Sequence, residues 1–418
     1  MGLEGKYRFY YRFMPIFVSH INGNNFMEHV LNGSELTVWL PERIDTLTAA
    51  DVEKEIMAIC TATPHDGLCL EASSLNYIAS SGLRVMIRMA KAEKKFRIAN
   101  VELSVYSVFE TTGFTQIMKV EKALRKIHLE ECQRLGIGAT GAVYRISPEE
   151  IVKVNYNPAT DAELEEESRK AKAAFLLGVP TAITFDMVDC GEGRRGVVYE
   201  TLHSITLGEM LQTHPEEMDE WVEKYVAVLQ RLHAIHTDSP VFGKMKDDYF
   251  RQAEAALPYL TEEEGRMMMK VAEALPDGDC LVHGDAHPKN IMLQPDEMMW
   301  IDMAMMGIGH PVYDLISIAV VLKGLSTEEI AMQMTGMSLD TLRKLDRCFI
   351  RHYFHVEKEE DIARYDQLMD VLRLIRSVFM IGNDSPTTQR FRPRLIELAR
   401  GRFFPQVDRV IEVLKSLV

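Results

Sequence analysis

The sequence predicts a small α/β domain followed by an α+β domain, which has a β-rich small lobe and a helical large lobe. Three observations favour this fold class. The chain has 418 residues, and a single hydrophobic core does not usually extend over so long a chain. Strand and helix patterns alternate up to about residue 120, which is typical of a sheet covered by helices. Strand patterns then dominate from Leu129 to Glu200, and helical patterns dominate from Leu207 onwards.

The two kinds of pattern meet near residues 121 to 128. We therefore place the first domain at 15–122 and the second domain at 128–418. Within the second domain we expect the small lobe at about 128–202 and the large lobe at about 203–418. No internal repeat or low-complexity run interrupts this division.

Composition and net charge disfavour several classes of binding partner and of site. A formal net charge of -15 makes binding to nucleic acid or to anionic lipid unfavourable and suits a cationic ligand better. No stretch is long and apolar enough to span a bilayer, and the N-terminus lacks the apolar core of a signal peptide. The six cysteines are scattered without a Cys-x-x-Cys pair, which disfavours zinc clusters and a disulfide framework. We expect a cytoplasmic protein with no nucleic-acid or membrane partner.

A glycine-rich segment has the spacing G-x-G-x-x-G-x-V and contains Gly136, Gly138, Gly141 and Val143. Glycines let a backbone fold tightly over phosphate oxygens and offer N–H donors to them. The same spacing occurs in dinucleotide-binding loops, but those loops open a helix. Pro148 follows here and argues against a helix. The segment therefore predicts a β-hairpin that covers the phosphates of a nucleotide.

Lys153 lies on the predicted second strand of this hairpin. In kinases such a lysine binds phosphate oxygens and is held by a carboxylate from the following helix. The predicted helix offers four glutamates: Glu163, Glu165, Glu166 and Glu167. We prefer Glu167, because it shares a helical face with apolar residues, and keep Glu163 as the alternative. An ordinary strand lysine that reaches solvent is the other interpretation of Lys153.

The strongest signal is a loop between two apolar strand patterns, His283-Gly-Asp285-Ala-His287-Pro-Lys-Asn290. Asp285 is placed to accept or orient the proton of a substrate hydroxyl, and we assign the catalytic role to it. Asn290 offers an oxygen ligand for Mg²⁺. Asp302 ends the next apolar run, and we assign it to the same Mg²⁺, which would bridge the phosphates of ATP.

Other interpretations of this loop stay open. His283, Asp285 and His287 alternate, so an extended segment could present all three to a hydrolytic metal ion. That interpretation leaves Asn290 and the glycine-rich segment unexplained. We therefore expect His283 to support the site by holding the loop through hydrogen bonds. Asp314 is placed to cap a helix that follows and also to support the site.

The second domain resembles the aminoglycoside phosphotransferase and choline kinase family. The resemblance rests on His283-Gly-Asp285-x-His287-Pro-x-Asn290, Ile301-Asp302 and Gly309-x-Pro311-x-x-Asp314-Leu315. It implies a protein-kinase-like fold and transfer of the γ-phosphate of ATP, with Mg²⁺, to a hydroxyl of a small molecule. The motifs do not choose between aminoglycoside, choline and sugar acceptors. GTP stays open as well, since the segment from Glu200 to Leu202 would contact a nucleotide through backbone groups.

The first domain resembles the STAS family, which has the anti-sigma-factor antagonist fold. The resemblance rests on the segments 36–46, Ala79-Ser80-Ser81-Gly82-Leu83 and Phe109-Glu-Thr-Thr-Gly113. In that family the first serine of Asp-Ser-Ser-Gly-Leu can be phosphorylated, which makes Ser80 a candidate phosphosite. This chain has Ala79 where the family has the aspartate. Alternatively, Ser80 and Ser81 serve only as helix N-caps. The resemblance implies that this domain binds a protein partner.

These observations together predict an ATP- and Mg²⁺-dependent small-molecule kinase with a STAS-like regulatory domain. The alternative is a regulatory, partner-switching protein in which the kinase-like domain senses nucleotide or phosphorylates a protein serine. Under that alternative Ser80 itself is a candidate acceptor.

Overall fold

The computed structural model describes residues 27–137, 141–157 and 161–417. The chain divides into two compact units, with the boundary between Arg125 and Lys126. The domain limits proposed from the sequence, 15–122 and 128–418, stay a prediction. Residues 15–26, the N-terminal segment before them and Gly138 of the glycine-rich segment lie outside the described residues.

The first unit has the predicted α/β architecture. Its strands are β1 (His29–Asn32), β2 (Glu35–Trp39), β3 (Arg43–Ile44), β4 (Gly67–Glu71), β5 (Tyr77–Ile78), β6 (Phe96–Val101) and β7 (Lys119–Lys122). Its helices are α1 (Ala49–Ala62), α2 (Ser80–Ala92) and α3 (Leu103–Thr111). Five strands form one sheet in the order β1-β2-β4-β6-β7, in which only β1 and β2 are antiparallel. Each parallel connection is made by one of the helices, as parallel pairing requires.

The expected N-cap roles of Ser80 and Ser81 are wrong. Helix α2 begins at Ser80 itself, so Ala79 occupies the N-cap position, and no side chain caps this helix end. Ser80 is exposed in the first turn. The hydroxyl of Ser81 is buried and has no hydrogen-bond partner among the described residues.

The second unit opens with the predicted β-rich lobe. Its strands are β8 (Arg125–Lys126, which starts on the last residue of the first unit), β9 (Gln133–Ile137), β10 (Gly141–Arg145), β11 (Glu150–Asn155), β12 (Thr184–Asp189) and β13 (Arg195–Glu200). They form one sheet in the order β8-β12-β13-β11-β10-β9. Strands β10 and β11 are the predicted antiparallel hairpin, with Val143 opposite Lys153. Helix α4 (Asp161–Leu176) follows β11.

The rest of the unit is the predicted helical lobe. Its helices are α5 (Leu207–Thr213), α6 (Met218–His233), α7 (Met245–Ala256), α8 (Glu262–Ala274), α9 (Val312–Gly324), α10 (Glu328–Thr335), α11 (Leu339–Phe354), α12 (Glu359–Phe379), α13 (Pro386–Leu398) and α14 (Val407–Lys415). Capping boxes at Thr206 and Thr261 start α5 and α8, because each threonine is followed three residues later by a glutamate. Among the described residues, no helix has the length and apolarity to cross a membrane.

Two short two-stranded sheets stand among these helices and position the candidate site. Strand β14 (Cys280–Val282) precedes the site in sequence and β17 (Gly307–Gly309) follows it, and the two strands pair in antiparallel orientation. The antiparallel pair of β15 (Ile291–Leu293) and β16 (Met298–Trp300) lies between them in sequence. Helix α9 comes directly after β17, and ten of its thirteen residues are buried, so this helix is a fixed support for the loops beside it.

Candidate active site

The loop between β14 and β15 is held at its start by a carboxylate from α9. Asp314 is fully buried, and its two oxygens accept the backbone N–H groups of His283 at 3.0 Å and Gly284 at 2.6 Å. The Nε2 atom of His233 lies 2.9 Å from the same carboxylate. The expected helix-capping role of Asp314 is wrong, because Pro311 precedes α9 and the carboxylate binds the loop instead. Its expected support of the site agrees with these contacts.

Gly284 adopts a left-handed backbone conformation with φ of +76°. A Cβ atom at this position would lie 2.4 Å from the carbonyl oxygen of Met305, so the close approach also excludes a side chain. Glycine adopts this conformation without strain. The turn that presents Asp285 therefore depends on Gly284.

His283 holds the same loop from the inside, as predicted. Its ring is buried against Trp300, with ring centroids 4.8 Å apart. Nε2 lies 3.1 Å from the carbonyl oxygen of Ile301, and Nδ1 lies 3.3 Å from the backbone nitrogen of Asp285. A ring that donates from Nε2 and accepts at Nδ1 satisfies both contacts. Because both nitrogens are engaged, the alternative of a metal site built from His283, Asp285 and His287 is wrong.

Asp285 is the carboxylate that this loop presents. Its Oδ2 atom accepts a hydrogen bond of 3.1 Å from Nδ2 of Asn290 and lies 3.4 Å from Nε2 of His287. Burial acts to raise the pKa of Asp285, but the hydrogen bond and charge of His287 and the charge of Arg376 hold it well below its usual range. The side chain is still 36% exposed. Asp285 is therefore an accessible carboxylate that is ionised at neutral pH.

Asn290 and Asp302 are brought to one end of the β15–β16 hairpin. Ile291 opposes Trp300 in this hairpin, so the residue before β15 and the residues after β16 share an end. The backbone N–H of Ile301 donates to the carbonyl of Asn290 at 3.0 Å. Asp302 has φ of +62°, a left-handed conformation that is uncommon for a residue with a side chain and that recurs at functional sites.

Lys153 on β11 joins the small lobe to this end of the hairpin. Its Nζ atom lies 2.8 Å from both carboxylate oxygens of Glu167 and 3.4 Å from Oδ1 of Asp302. Helix α4 thus presents Glu167 as expected, while Glu163 points to solvent. Burial acts to lower the pKa of Lys153, but the charges of Asp302 and Glu167 outweigh it and raise the pKa. The ammonium is therefore kept charged.

Glu167 is held in this arrangement by more than the lysine. It is only 6% exposed, and the hydroxyl of Tyr199 donates to it at 3.4 Å. Burial raises the pKa of Glu167, Lys153 opposes that effect, and the negative charge of Asp302 adds to it. The pair is thus a buried charge pair in which each partner depends on the other.

Two supporting residues were missed by the sequence analysis. Lys170 is buried on α4 and donates from Nζ to the carbonyl of Ala304 at 3.0 Å, which ties the helix to the segment after Asp302. Its position three residues after Glu167 is a signal that could have found it. His233 lies in the last turn of α6, 81 residues before Asp314, and no local pattern links the two.

Of the residues expected to contact a nucleotide, Gly136, Gly141 and Lys153 lie on β9, β10 and β11, and Glu200 and Leu202 lie at and just after the end of β13. Gly141 packs so closely on β11 that a Cβ would lie 2.3 Å from the carbonyl of Val154, whereas Gly136 has open space around it. Glu200 ends β13, and its backbone N–H and its carboxylate both bind Ile183. Contact of a nucleotide base with the backbone of Glu200 and Leu202 stays a prediction.

A strand lysine paired with a helix glutamate, beside a loop with an aspartate and an asparagine and a further aspartate, defines a phosphotransferase with a protein-kinase-like fold. The chain belongs to the phosphotransferase enzyme family, whose family model matches residues 131–348. Its first unit is a STAS domain, matched over residues 27–127.

Solved structures with a similar fold include aminoglycoside and choline kinases. The ADP-bound aminoglycoside phosphotransferase APH(2'')-Ib is 16% identical with a TM-score of 0.43, over 74% of this chain and 98% of its own. A thermostable mutant of APH(4)-Ia, in a ternary complex with AMP-PNP and hygromycin B, is 14% identical with a TM-score of 0.46, over 68% and 93%. A choline/ethanolamine kinase family protein from Mesorhizobium loti is 16% identical with a TM-score of 0.38, over 68% and 92%. No curated protein sequence matches the chain significantly.

Proposed function

We propose that the second unit transfers the γ-phosphate of ATP to a hydroxyl group of a small molecule. The observation that carries the proposal is the position of Lys153, whose Nζ atom contacts both Glu167 on the small lobe and Asp302 on the β15–β16 hairpin. The phosphates of a nucleotide need a cation at that junction, and a charged lysine lies there. Family membership supports the same reaction class.

The phosphates would be bound from the small-lobe side. Lys153 is charged and fixed by Glu167, so it can bind phosphate oxygens without losing its position. The glycine-rich segment, with Gly136, Gly138 and Gly141, would cover the phosphates with backbone N–H groups. The Glu200 carbonyl and the Leu202 backbone would bind the base, and these groups alone do not separate ATP from GTP.

The donor set for a metal ion fits Mg²⁺. The Nδ2 atom of Asn290 is committed to Asp285, which leaves its amide oxygen without a hydrogen bond to any described residue. This oxygen and the carboxylate of Asp302 are oxygen ligands of the kind Mg²⁺ prefers. When bound, Mg²⁺ supplies charge neutralisation on the phosphate oxygens.

Asp285 would face the acceptor. Because it is ionised, exposed and held by Asn290, it can accept a hydrogen bond from a hydroxyl group and orient that oxygen for attack. His287 limits the movement of the same carboxylate. The residues therefore contribute positioning and charge stabilisation, and no covalent enzyme intermediate is needed.

The acceptor we propose is a small hydroxylated molecule. Similar structures carry hygromycin B or belong to the choline/ethanolamine kinase family, and the net charge of -15 favours a cationic acceptor. The cytoplasm stays our prediction for the compartment.

The test is MgATP consumption by the full chain across aminoglycosides, choline, sugars and amino alcohols, with no-acceptor controls. We expect turnover with one acceptor class, and its loss in Asp285→Asn. The matched control is Asp296→Asn, an exposed carboxylate in the β15–β16 turn, which should leave turnover unchanged. Tight nucleotide binding without turnover on any acceptor would contradict the proposal.

The STAS domain favours a second, regulatory role for the first unit, namely binding of a protein partner. Ser80 is exposed at the start of α2 and is therefore accessible to a kinase. After incubation with MgATP, mass spectrometry of the wild type and of Asp285→Asn would show whether Ser80 is modified by this chain. An unmodified Ser80 in both proteins would remove the autophosphorylation version of the alternative.

A further inference from the structure

Three side chains of different chemistry converge in the first unit, far in sequence from the motifs of the candidate active site. The Sγ atom of Cys60, a ring nitrogen of His65 and a carboxylate oxygen of Glu93 all lie within 4.8 Å of one another. Cys60 is in the last turn of α1, His65 is in the connection to β4, and Glu93 directly follows α2. Thiolate, imidazole and carboxylate are the three common protein ligands of zinc.

We infer that Cys60, His65 and Glu93 form a binding site for a transition-metal ion of the Zn²⁺ class. The first unit would then be a metal-binding STAS domain, and the inference does not depend on the phosphotransferase proposal.

The ring of His65 is already arranged as a metal ligand. Its Nδ1 atom lies 2.7 Å from the carbonyl oxygen of Thr63. A carbonyl only accepts, so Nδ1 carries the proton and Nε2 has a free lone pair in the neutral ring. A backbone carbonyl on the far nitrogen is the usual orienting contact of metal-bound histidines.

The Nε2 atom of His65 lacks the partner that its burial requires. The side chain is only 6% exposed, and Nε2 has no hydrogen-bond partner among the described residues. It faces Oε2 of Glu93 at 3.3 Å without hydrogen-bond geometry. A lone pair that faces a carboxylate oxygen is unfavourable unless a cation lies between them.

The spacing of the two atoms also suits a metal. Zinc–nitrogen and zinc–oxygen bonds of about 2.0–2.2 Å at a tetrahedral angle place the two ligand atoms about 3.3–3.5 Å apart. The observed separation of Nε2 and Oε2 is 3.3 Å. An ion pair with a protonated imidazole is the competing explanation, since the two atoms are close enough for it, but no hydrogen bond from Nε2 to Glu93 accompanies the contact.

The surroundings favour a cation. Helices α1 and α2 both end beside the cluster, and the C-terminal end of a helix carries a partial negative charge. Ion binding would form the metal–sulfur bond as the thiol proton leaves to solvent. Three protein ligands leave a fourth position open to water or another ligand.

The other clusters of this kind among the described residues are less suitable. Asp219, near Cys348 and His352, is also 3.1 Å from the Arg351 guanidinium, a fixed positive charge that disfavours a cation. In the third cluster His236 and Asp279 are exposed, Cys280 is half-buried, and His236 already contacts Asp279 at 2.9 Å. Cys280 therefore serves as a matched control for Cys60.

The experiment titrates the full chain, stripped of metal with a chelator, with Co²⁺ as a spectroscopic probe and then with Zn²⁺ as competitor. We expect a thiolate-to-cobalt charge-transfer band that saturates at one ion per chain and disappears on addition of Zn²⁺. Cys60→Ser should abolish the band, and Cys280→Ser should keep it. Glu93→Gln should keep the band but weaken Co²⁺ binding by more than roughly tenfold.

Thermal unfolding separates metal loss from misfolding. Zn²⁺ should raise the unfolding midpoint of the wild type and of Cys280→Ser, because an ion that binds only the folded state stabilises it. It should not raise the midpoint of Cys60→Ser. The inference is overturned if the wild type gives no thiolate band, or if a folded Cys60→Ser retains the band.

Discussion

The loop that carries Asp285 and the helix that carries Glu167 place their carboxylates in opposite electrostatic settings. Both groups are affected by burial, which raises the pKa of a carboxyl group. For Asp285 the positive surroundings of His287 and Arg376 outweigh burial, and its pKa falls. For Glu167 the single cation Lys153 does not outweigh burial, to which Asp302 adds the effect of a negative charge. The pKa of Glu167 therefore rises.

The difference shows how one site keeps two carboxylates for two purposes. Asp285 is held ionised by several positive groups, with His287 first among them, which suits a group that must meet an incoming hydroxyl. Glu167 keeps its charge only through Lys153, so its purpose is to fix that lysine. Divergent surroundings of this kind are how enzymes divide the tasks of like groups.

Removal of the charge on Asp285 should have the largest effect. Asp285→Asn keeps the shape and the contact with Asn290 but loses the acceptor for the hydroxyl proton. We expect kcat to fall about 10²–10⁴-fold with little change in the KM for ATP. Steady-state kinetics with the acceptor identified by the panel measure this effect. A kcat within tenfold of the wild type would show that Asp285 does not face the acceptor.

The helix side of the comparison is tested by Glu167→Gln with Glu163→Gln as its control. The first variant leaves Lys153 buried with only Asp302, at 3.4 Å, as a charged partner. We expect kcat/KM for ATP to fall by roughly tenfold to a hundredfold, or about 1.4–2.8 kcal/mol. Glu163 is exposed, so its variant should match the wild type. Equal losses in both variants would contradict the specific pairing.

The support beneath the Asp285 loop should affect stability more than chemistry. In Asp314→Asn one carboxylate oxygen that accepts a backbone N–H becomes an N–H₂ group. An unsatisfied buried donor costs about 1–3 kcal/mol, so the free energy of unfolding should fall by that amount. Denaturant titration measures it. An unchanged unfolding free energy with normal kcat would show that the loop does not need this anchor.

A carboxylate outside the site extends the comparison of buried carboxylates, and its substitution should have the smallest effect. Asp346 lies 3.2 Å from Lys323, which Asp366 also contacts, and burial, opposed by Lys323, raises the pKa of Asp346 to about 6. Because this folded-state pKa exceeds the unfolded value, its contribution to stability is present at low pH and is lost as pH rises through about 6.

Asp346→Asn removes the charge but keeps an oxygen for Lys323. Above pH 6 it should therefore stabilise the fold, by on the order of 1 kcal/mol. Below about pH 4 the difference from the wild type should vanish, since Asp346 is then protonated in both states. Unfolding midpoints between pH 4 and 8 measure this; a constant difference across that range would contradict it.

Local patterns were enough to predict part of this molecule. The hairpin around Lys153, the choice of Glu167 and the loop with Asp285 and Asn290 follow from period, spacing and turn chemistry within short segments. Asp314 was misassigned, because an aspartate near the start of a helix looks the same whether it caps that helix or binds another loop.

Contacts between distant segments could not be predicted. His233 meets Asp314 only because α6 and α9 pack together, and no spacing records that contact. The Cys60 cluster uses a single cysteine, and its other members lie 5 and 33 residues further along the chain, so no zinc signature appears. Such sites follow from the tertiary packing of helix ends rather than from a motif.

The β15–β16 hairpin has a consequence for engineering the protein. The separation of Asn290 and Asp302 is fixed by three facing residue pairs, from Ile291–Trp300 to Leu293–Met298, and not by the turn at the far end. That turn, residues 295–297, is exposed. A fluorophore or short peptide tag inserted there is therefore expected to report on this lobe without altering the distance between the two metal-ligand candidates.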